Sequence, residues 1–281
     1  MLLAFIVTMA LLLPTSAQPM ESANAAGAPR ATADVPPSRQ RLLPRYDLKG
    51  EEELLTLTNQ ERQRVGAAPL GLDRTLTSAA RAHALAMAER HQLSHQLPGE
   101  PALNQRLASN TLHLLRAGEN VALDIEIDQA HEALMHSPHH RENLLRGDYN
   151  IVGFGIARLG DQIYVVEDFG ESEPPVSPSQ AEDAVAAAIK GQRPLKRLQS
   201  PTLRRAACSM ASEDQINPRQ VSGLGPMRYV LAYTNLRPES LPRDARRPLN
   251  DRKLRSFAVG SCYAHTPTYP NGAYFVAVAF Y

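Results

Sequence analysis

Two runs of β-branched and aromatic residues near the middle of the chain constrain its fold more than any other feature. They cover residues 151–157 and 162–169, and Leu159-Gly160-Asp161 between them supplies turn residues. This pattern predicts a β-hairpin. Helical patterns precede the hairpin, and helices and strands do not alternate strictly. The sequence therefore favours a layered α+β domain.

Three helical segments are predicted before the hairpin. Residues 51–65 begin with acidic side chains, which the helix dipole favours, and Gly66 ends the segment. Apolar residues from Leu76 to Met87 recur at helical spacing, with His83 on the same face as a packing histidine or a ligand. Residues 127–136 form the third segment. Ser137-Pro138 ends it and is also suited to open a short helix that follows.

The first residues of the chain resemble a secretory signal. The run from Met1 to Leu13 is apolar but short for a membrane span, and Thr15-Ser16-Ala17 offers a cleavage point. We therefore expect a signal peptide at 1–17, with an uncleaved anchor as the alternative. Residues 18–45 are rich in Ala, Pro, Ser and Arg, which predicts a flexible linker. The signal itself predicts a secreted or periplasmic protein.

Charge and cysteine content narrow the functional classes. The net charge is +1, which gives no electrostatic reason to expect nucleic acid as a partner. Cys208 and Cys262 are the two cysteines, and in an exported chain they favour a disulfide over two free thiols. Their separation of 54 positions (262 − 208) would make the bond worth roughly 4 kcal/mol in the chain-entropy model.

Residues 173–180 are rich in Pro, Ser and Glu and separate a second unit at 181–281. Its apolar positions echo the first unit in reduced form. Leu203, Ala206 and Ala207 correspond to Leu76, Ala79 and Ala80, and residues 258–260 and 273–280 correspond to the earlier hairpin. A smaller α+β unit that is a degenerate half-repeat is one interpretation, and chance similarity between small units is the other.

Three separate stretches carry the residues suited to chemistry. They are Ser94-His95, Gly118-Glu119-Asn120, and the run from Ser137 to Asn143. Two imidazoles and a carboxylate can bind a metal ion or exchange protons. The pattern alone leaves both open, together with a purely structural use of these groups.

The order of these motifs resembles the bacterial branch of the CAP superfamily (cysteine-rich secretory, antigen 5 and pathogenesis-related proteins, also called SCP-like). The resemblance covers about residues 53–170, within a domain expected at 46–172, and runs from Asn59 and Arg62 in the first helix to Val152-Gly153-x-Gly155. It implies a CAP-like α-β-α sandwich with a central cleft. The second unit lacks every one of the polar motifs.

The resemblance also implies roles for individual residues. His95, Glu119 and His140 would line the cleft and be the candidate ligands of zinc or another divalent metal. Secondary candidates, which would complete or assist the group, are Glu167, His139 and Ser137. For Asn120, Arg141 and Asn143 we expect a structural role at turns and helix ends. Animal and plant members of the family place a second glutamate where this chain has Ser137, so this chain lacks that member of a set of two His and two Glu.

Two functional hypotheses follow, and the residues do not decide whether the chain is an enzyme. The first is a non-catalytic exported module that binds a small apolar ligand, a lipid or a surface component through the cleft or an adjoining groove. The second is a metal-assisted hydrolase acting on peptide or cell-envelope material. The His-Glu-x-x-His motif of zinc proteases and a recognised nucleophile motif are both absent from the sequence, which favours the first. A membrane is expected only through an uncleaved signal.

Overall fold

The computed structural model describes residues 42–109, 111–222 (for Ser222 the backbone alone) and 226–281. The predicted signal peptide, and the linker up to residue 41, lie outside the described residues. Leu42–Tyr281 forms one compact unit. The helices are α1 (Leu48–Arg64), α2 (Arg74–Arg90), α3 (Leu103–Arg106), α4 (Ile127–His136), α5 (Pro138–Leu145), α6 (Pro178–Gln192), α7 (Pro201–Ser212), α8 (Arg219–Ser222) and α9 (Arg246–Asn250).

The strands form two sheets, and the predicted α+β class is confirmed. The strands are β1 (Arg45–Tyr46), β2 (Gly71–Leu72), β3 (Leu114–Asp124), β4 (Ile151–Leu159), β5 (Gln162–Ser172), β6 (Lys196–Leu198), β7 (Tyr229–Asn235), β8 (Ser256–Ala264) and β9 (Ala273–Phe280). The first sheet has the order β1-β4-β5-β3, with β2 pairing β4, and the second has the order β6-β8-β9-β7.

Local sequence signals explain where most elements begin and end. The first helix starts three residues before the predicted position because the Asp47 side chain accepts a hydrogen bond from the Gly50 amide and caps it. β1 likewise begins inside the segment predicted as linker. The helix at 127–136 has the predicted bounds, since Pro138 cannot continue it. Residues 178–180, predicted as linker, belong to α6, which a capping box at Ser177 begins.

Helices cover both faces of the first sheet. One face packs on α2, through a cluster that includes Ala84, Met87, Val121 and Val166. The other face packs on α1, α4 and α5. Two glycines of β4 allow the closest approach to α2, because a Cβ on Gly155 would lie 2.2 Å from the backbone of Ala80. The result is an α-β-α sandwich in which β3 ends the strand order.

The order of elements in residues 42–172 recurs in reduced form in residues 178–281. In both, a helix is followed by a short strand that pairs in parallel with the first strand of an antiparallel hairpin. The second strand of each hairpin pairs with the remaining strand, β3 or β7. Gly260 of β8 takes the place of Gly155, since its Cβ would lie 2.1 Å from the amide nitrogen of Arg204 in α7. Leu203 therefore corresponds to Ala80 and not, as the sequence suggested, to Leu76.

Cys208 and Cys262 are joined, which confirms the predicted disulfide. The bond connects α7 with β8, so it ties the helix of the second part to the sheet that it covers. A closed loop of this length constrains the unfolded chain more than the folded one. The disulfide therefore reinforces the packing of α7 on β8, where Gly260 already lets the helix backbone lie against the strand.

We expect Gly260→Ala to lower the free energy of unfolding by about 3 kcal/mol or more, because the helix backbone leaves no room for a methyl group. Gly191→Ala in α6 is the matched control. A Cβ there meets no atom within 4 Å, and alanine favours a helix by up to about 1 kcal/mol. Urea unfolding of both variants measures the difference, and equal stabilities would contradict the close packing.

Replacing both cysteines by alanine should lower the free energy of unfolding by about 4 kcal/mol, given the separation of 54 positions. Denaturant unfolding of the oxidised wild type and the double variant gives this value. Reduced wild type should match the variant. A loss below about 1 kcal/mol would mean that the unfolded chain is already restricted around this loop.

Candidate functional site

The edge of the first sheet brings His95, Glu119 and His140 together. His95 lies in the loop after α2, on one face of the sheet, and His140 lies in α5 on the opposite face. Both reach past β3, and their ring centroids are 6.4 Å apart. Glu119 is in β3 and is buried, whereas the side chain of His95 is 59% exposed. His95 thus lies between Glu119, to which it is hydrogen-bonded, and the ring of His140, and its own side chain is open to solvent.

Both carboxylate oxygens of Glu119 have protein partners. Oε1 accepts from Nδ1 of His95 at 2.9 Å, and Oε2 accepts from Nη2 of Arg106 at 2.6 Å. The hydrogen bond with Glu119, followed by its charge, outweighs burial and raises the pKa of His95. Arg106, at the end of α3, also bonds the His95 carbonyl at 3.0 Å. It was missed in the sequence, where no motif surrounds it.

His83 lies behind this group and is fully buried. Nδ1 lies 2.7 Å from Oε1 of Glu100, and Nε2 lies 2.8 Å from the carbonyl oxygen of Ser94. Both ring nitrogens are therefore satisfied by protein groups. The ring fixes the loop that carries His95, which makes His83 a positioning residue on the α2 face.

Asp168 is the least expected member of the cluster. It is directly opposite Glu119 in the β3–β5 pair and points to the same face. Burial, and then the charge of Glu119, raise the pKa of Asp168 well above its usual range. Neither Asp168 oxygen has a hydrogen-bond donor from the other described residues. A protonated Asp168 that donates to Glu119 accounts for both observations.

A second polar group lies on the opposite face of the same strands. Asn120 donates to Oε2 of Glu167 at 3.0 Å and to the carbonyl oxygen of His140 at 3.1 Å. Asn143 in turn donates to Oδ1 of Asn120 at 3.0 Å. These bonds fasten α5 to the sheet and so set the position of His140.

Glu167 does not join the cleft acid Glu119, contrary to the sequence-based suggestion that it could supply a second carboxylate there. It pairs with Asn120 in the strand register, and neighbouring residues of a strand point to opposite faces. Burial raises its pKa to about 7, against the lowering effect of the Asn120 hydrogen bond.

The remaining candidates contribute less to the cleft. Ser137 occupies the cap position of α5, yet its side chain makes no capping hydrogen bond. His139 and Arg141 are exposed on the outer surface of α5. Burial, followed by the nearby His95 and His139 rings, lowers the pKa of His140. The two cleft imidazoles therefore have pKa values shifted in opposite directions.

The donors, as placed, do not fit a resident zinc ion. Two imidazoles that share a tetrahedral zinc, with each nitrogen about 2 Å from the metal, have ring centroids about 5 Å apart. The centroids of His95 and His140 are 6.4 Å apart, and Arg106 already neutralises Glu119. Within the described part of the chain, no group of three or more His, Cys, Asp or Glu side chains is arranged to hold an ion.

The second sheet shows that the fold does not require the polar cluster. Aligning Gly155 with Gly260 places each polar residue opposite an apolar one in the second part. The equivalents are His83 and Ala206, Glu119 and Val230, Asn120 and Leu231, Glu167 and Val278, and Asp168 and Ala279. Burying a polar group costs free energy unless it is hydrogen-bonded, whereas burying an apolar side chain carries no such cost. The cluster is therefore a feature of the cleft rather than of the architecture.

One ion pair, by contrast, occurs in both parts. Arg81 of α2 bonds Glu51 of α1, and Arg204 of α7 bonds Glu182 of α6. Arg81 follows Ala80, whose backbone contacts Gly155 of β4. Arg204 follows Leu203, whose backbone contacts Gly260 of β8. This pair fixes two helices against each other and belongs to the architecture.

Comparison with known proteins agrees with this fold. Residues 55–169 match the family model "CAP: Cysteine-rich secretory protein family". Two relatives from Bacillus subtilis (strain 168), "Uncharacterized protein YkwD" and "Uncharacterized membrane protein YlbC", are each 32% identical to this chain, over 111 and 120 residues. The matches cover 39% and 42% of this chain, and 43% and 34% of the relatives, so less than half of either relative is spanned.

A solved structure is also similar: an extracellular protein containing a SCP domain from Bacillus anthracis str. Ames. It is 26% identical, with a TM-score of 0.39, over 44% of this chain and 40% of that one. Residues 55–169 thus resemble a CAP domain, with relatives among bacterial proteins. Across 42–109, 111–222 and 226–281, no helix has the length and apolar character needed to cross a membrane.

The contact between His95 and Glu119 can be tested by titration. In Glu119→Gln the pKa of His95 should fall, because the charged acceptor that stabilises the imidazolium is lost. NMR titration of the histidine rings measures this, with the exposed Glu142→Gln as control. Wild type should also lose stability as pH rises above about 6.5 through the raised pKa of folded His95, and Glu119→Gln should lose less. An unchanged His95 pKa in Glu119→Gln would refute the contact.

Proposed function

We propose that this chain is an extracytoplasmic binding protein that holds a small apolar or lipid-like ligand in a groove beside the cleft. The groove has a volume of about 760 Å³ and is bordered by Ala102, Asn104, Gln105 and residues 114–117, and by residues 234–236 and 267–272. Pockets for small ligands have volumes of roughly 300 to 1,000 Å³. This groove is the observation that carries the proposal.

The lining of the groove suits an apolar ligand with an uncharged polar end. Leu114, Leu115 and Ala117 of β3 contribute apolar surface, and Pro267 and Pro270 face them from the second part. The polar groups of the lining are mainly amides and hydroxyls: Asn104, Gln105, Thr234, Asn235, Thr268, Tyr269 and Asn271. Such groups form hydrogen bonds without requiring a charged partner.

Arg116 is the charged side chain among the lining residues, and acids already surround it. Its guanidinium lies 3.4 Å from Glu171 and 3.7 Å from Asp148. An anionic ligand would have to compete with both carboxylates, which weakens the attraction. The groove is therefore better suited to a neutral head group than to a phosphate.

The arrangement of the cleft supports binding rather than hydrolysis. Both oxygens of Glu119 are engaged by His95 and Arg106, so the carboxylate is not free to take a proton from a substrate or to coordinate an ion. The Ser94 hydroxyl, next to His95 in sequence, donates to the Gln96 carbonyl instead of the ring. Metal-assisted hydrolysis, the other hypothesis from the sequence, lacks a supporting contact of this kind.

Two further observations support an extracytoplasmic location. The Cys208–Cys262 disulfide is typical of proteins from oxidising compartments. The similar Bacillus anthracis protein is described as extracellular. Ligand binding outside the cytoplasm is consistent with both.

We expect Gln105→Trp to weaken ligand binding by about tenfold, equivalent to about 1.4 kcal/mol, because the indole would fill the groove. Gln105 is exposed, so the fold should tolerate the change. Titration with dehydroergosterol, followed by fluorescence, measures affinity for a sterol with an uncharged hydroxyl, and dansyl-undecanoate, whose carboxylate is charged, should bind more weakly.

Gln92→Trp is the matched control, since Gln92 is equally exposed and lies outside the groove. His95→Ala should also leave binding unchanged. The proposal fails if neither probe binds the wild type, or if His95→Ala abolishes binding while Gln105→Trp retains it.

A further inference from the structure

The second sheet has a positively charged end. β6 runs parallel to β8, and β9 runs antiparallel to β8 and β7, so β6, β8 and β7 all begin at the end of the sheet where β9 finishes. Lys196 is the first residue of β6, while Arg255 and Arg228 directly precede β8 and β7. Each of these three strands therefore carries a cation where it enters the sheet.

The turn between α9 and β8 brings further cations to the same end. Arg193, which follows α6, donates to the carbonyl oxygens of Leu249 and Leu254 on either side of this turn. The Arg255 amide donates to the carbonyl oxygen of Tyr281 at 2.9 Å, which joins the turn to the end of β9. We refer to the six exposed cations that result as the basic face: Lys196, Arg246, Arg247, Arg252, Lys253 and Arg255.

The charges of the basic face are not neutralised by neighbouring acids. Within the part of the chain that the structure describes, none of the six forms an ion pair with a carboxylate. Asp251, in the same turn, is held by Arg228 at 2.7 Å instead. Arg243 and Asp244, before α9, carry opposite charges, and a carboxylate on Tyr281 would offset one charge of the six. Because the net charge of the whole chain is +1, this excess is a local concentration of positive charge.

Contacts within the basic face orient its guanidinium groups without removing their charge. The guanidinium carbon of Arg247 lies 5.7 Å from the centre of the Tyr229 ring. Nη1 of Arg255 donates to the carbonyl oxygen of Arg252 at 2.7 Å. Four of the six cations are arginines, and the planar fork of a guanidinium matches the oxygens of a phosphate group. The composition of the face therefore favours phosphate as its partner.

We propose that the basic face binds a soluble polyanion that carries phosphate groups along one chain, such as a polyphosphate or a phosphodiester polymer outside the cytoplasm. Consecutive phosphates of such a chain meet several of the six cations at once, which a single phosphate ion does not. Each contact releases a counterion from the polymer, and this release drives binding.

The basic face and the groove lie at opposite ends of the second sheet. Thr234 and Asn235, at the end of β7, and residues 267–272, between β8 and β9, line the groove. The first part of the chain packs against that same end, where Nε2 of His113 lies 2.9 Å from the carbonyl oxygen of Leu236. A polymer on the basic face therefore leaves the groove accessible, and the proposal does not depend on the ligand of the groove.

Two other anionic partners suit the basic face less well. Segments that lie on a bilayer insert exposed apolar side chains, and among the described residues the exposed large apolar side chains all lie between positions 42 and 176. Nucleic acids are read by an element that enters a groove or are held by aromatic side chains stacked on bases. Here α9 has five residues, and Arg247 covers the Tyr229 ring. A phosphate chain requires neither feature.

The test is calorimetric titration of the full purified chain with long-chain inorganic polyphosphate. Affinity should fall by at least about tenfold between about 50 and 200 mM NaCl, because bound phosphates release counterions. The variant Arg246→Gln/Arg252→Gln/Lys253→Gln should bind at least about tenfold more weakly and show a shallower salt dependence. These three side chains are exposed and have no hydrogen-bond partner among the described residues, so the fold should tolerate their loss.

The matched control is Arg45→Gln/Lys49→Gln/Arg74→Gln, which removes the same charge from exposed positions of the first part and should retain wild-type affinity. An equal loss in this control would mean that binding follows net charge, and would overturn the proposal. No binding by the wild type at low salt would overturn it as well.

Tighter binding to phosphatidylglycerol vesicles or to a DNA duplex than to polyphosphate would assign the basic face to a membrane or to nucleic acid, and would also overturn the proposal. Dehydroergosterol should bind the wild type and the basic-face variant equally. This last measurement separates a failure at the basic face from a failure at the groove.

Discussion

The direct contact between α2 and the glycines of β4 is the constraint on which the candidate site depends. With no side chain at Gly153 or Gly155, the backbone of α2 lies against the sheet. The end of the helix and the loop after it are thereby held above β3, where His83 and His95 can meet Glu119. The repetition of this contact at Gly260 shows that it is a property of the architecture, because the second part has it without the polar residues.

The comparison of the two parts separates structural from functional residues without reference to other proteins. The Arg81–Glu51 pair recurs as Arg204–Glu182, so it serves the fold. The acids Glu119 and Asp168 do not recur. They are buried together on one face, and a buried pair of carboxyl groups is stable only when a proton or a cation is shared. Arg106 and the raised pKa of Asp168 meet that requirement.

Elements with local signals were predictable from the sequence, and contacts across the fold were not. The helix at 127–136 and the turn at Gly160 follow from periodicity, Pro138 and turn residues, and both occur as expected. The side of the sheet on which Glu167 lies depends on the register of β3 against β5, which a single sequence does not contain.

Arg106 and His113 were missed for a related reason. Neither lies in a motif, and each is important only because a distant segment supplies its partner: Glu119 for Arg106, and Leu236 and Tyr263 for His113. A buried carboxylate in a strand requires a donor, but the sequence does not say which arginine provides it. Roles of this kind arise from pairing between segments rather than from local pattern.

Strand β3 contributes residues to both the groove and the cleft. In its first residues, Leu114 to Ala117, β3 lines the groove with apolar side chains, and two residues later Glu119 closes the cleft. Gly118 lies between these two parts of β3. A Cβ there would lie 2.4 Å from the Tyr149 hydroxyl, so the Tyr149 side chain packs directly on the strand backbone between the groove and the cleft. Fixing Glu119 with Arg106 therefore also holds the strand beside the groove. On this view Glu119 and Arg106 act on a ligand indirectly, by holding rigid the edge against which it packs, and His95 is not needed for that effect.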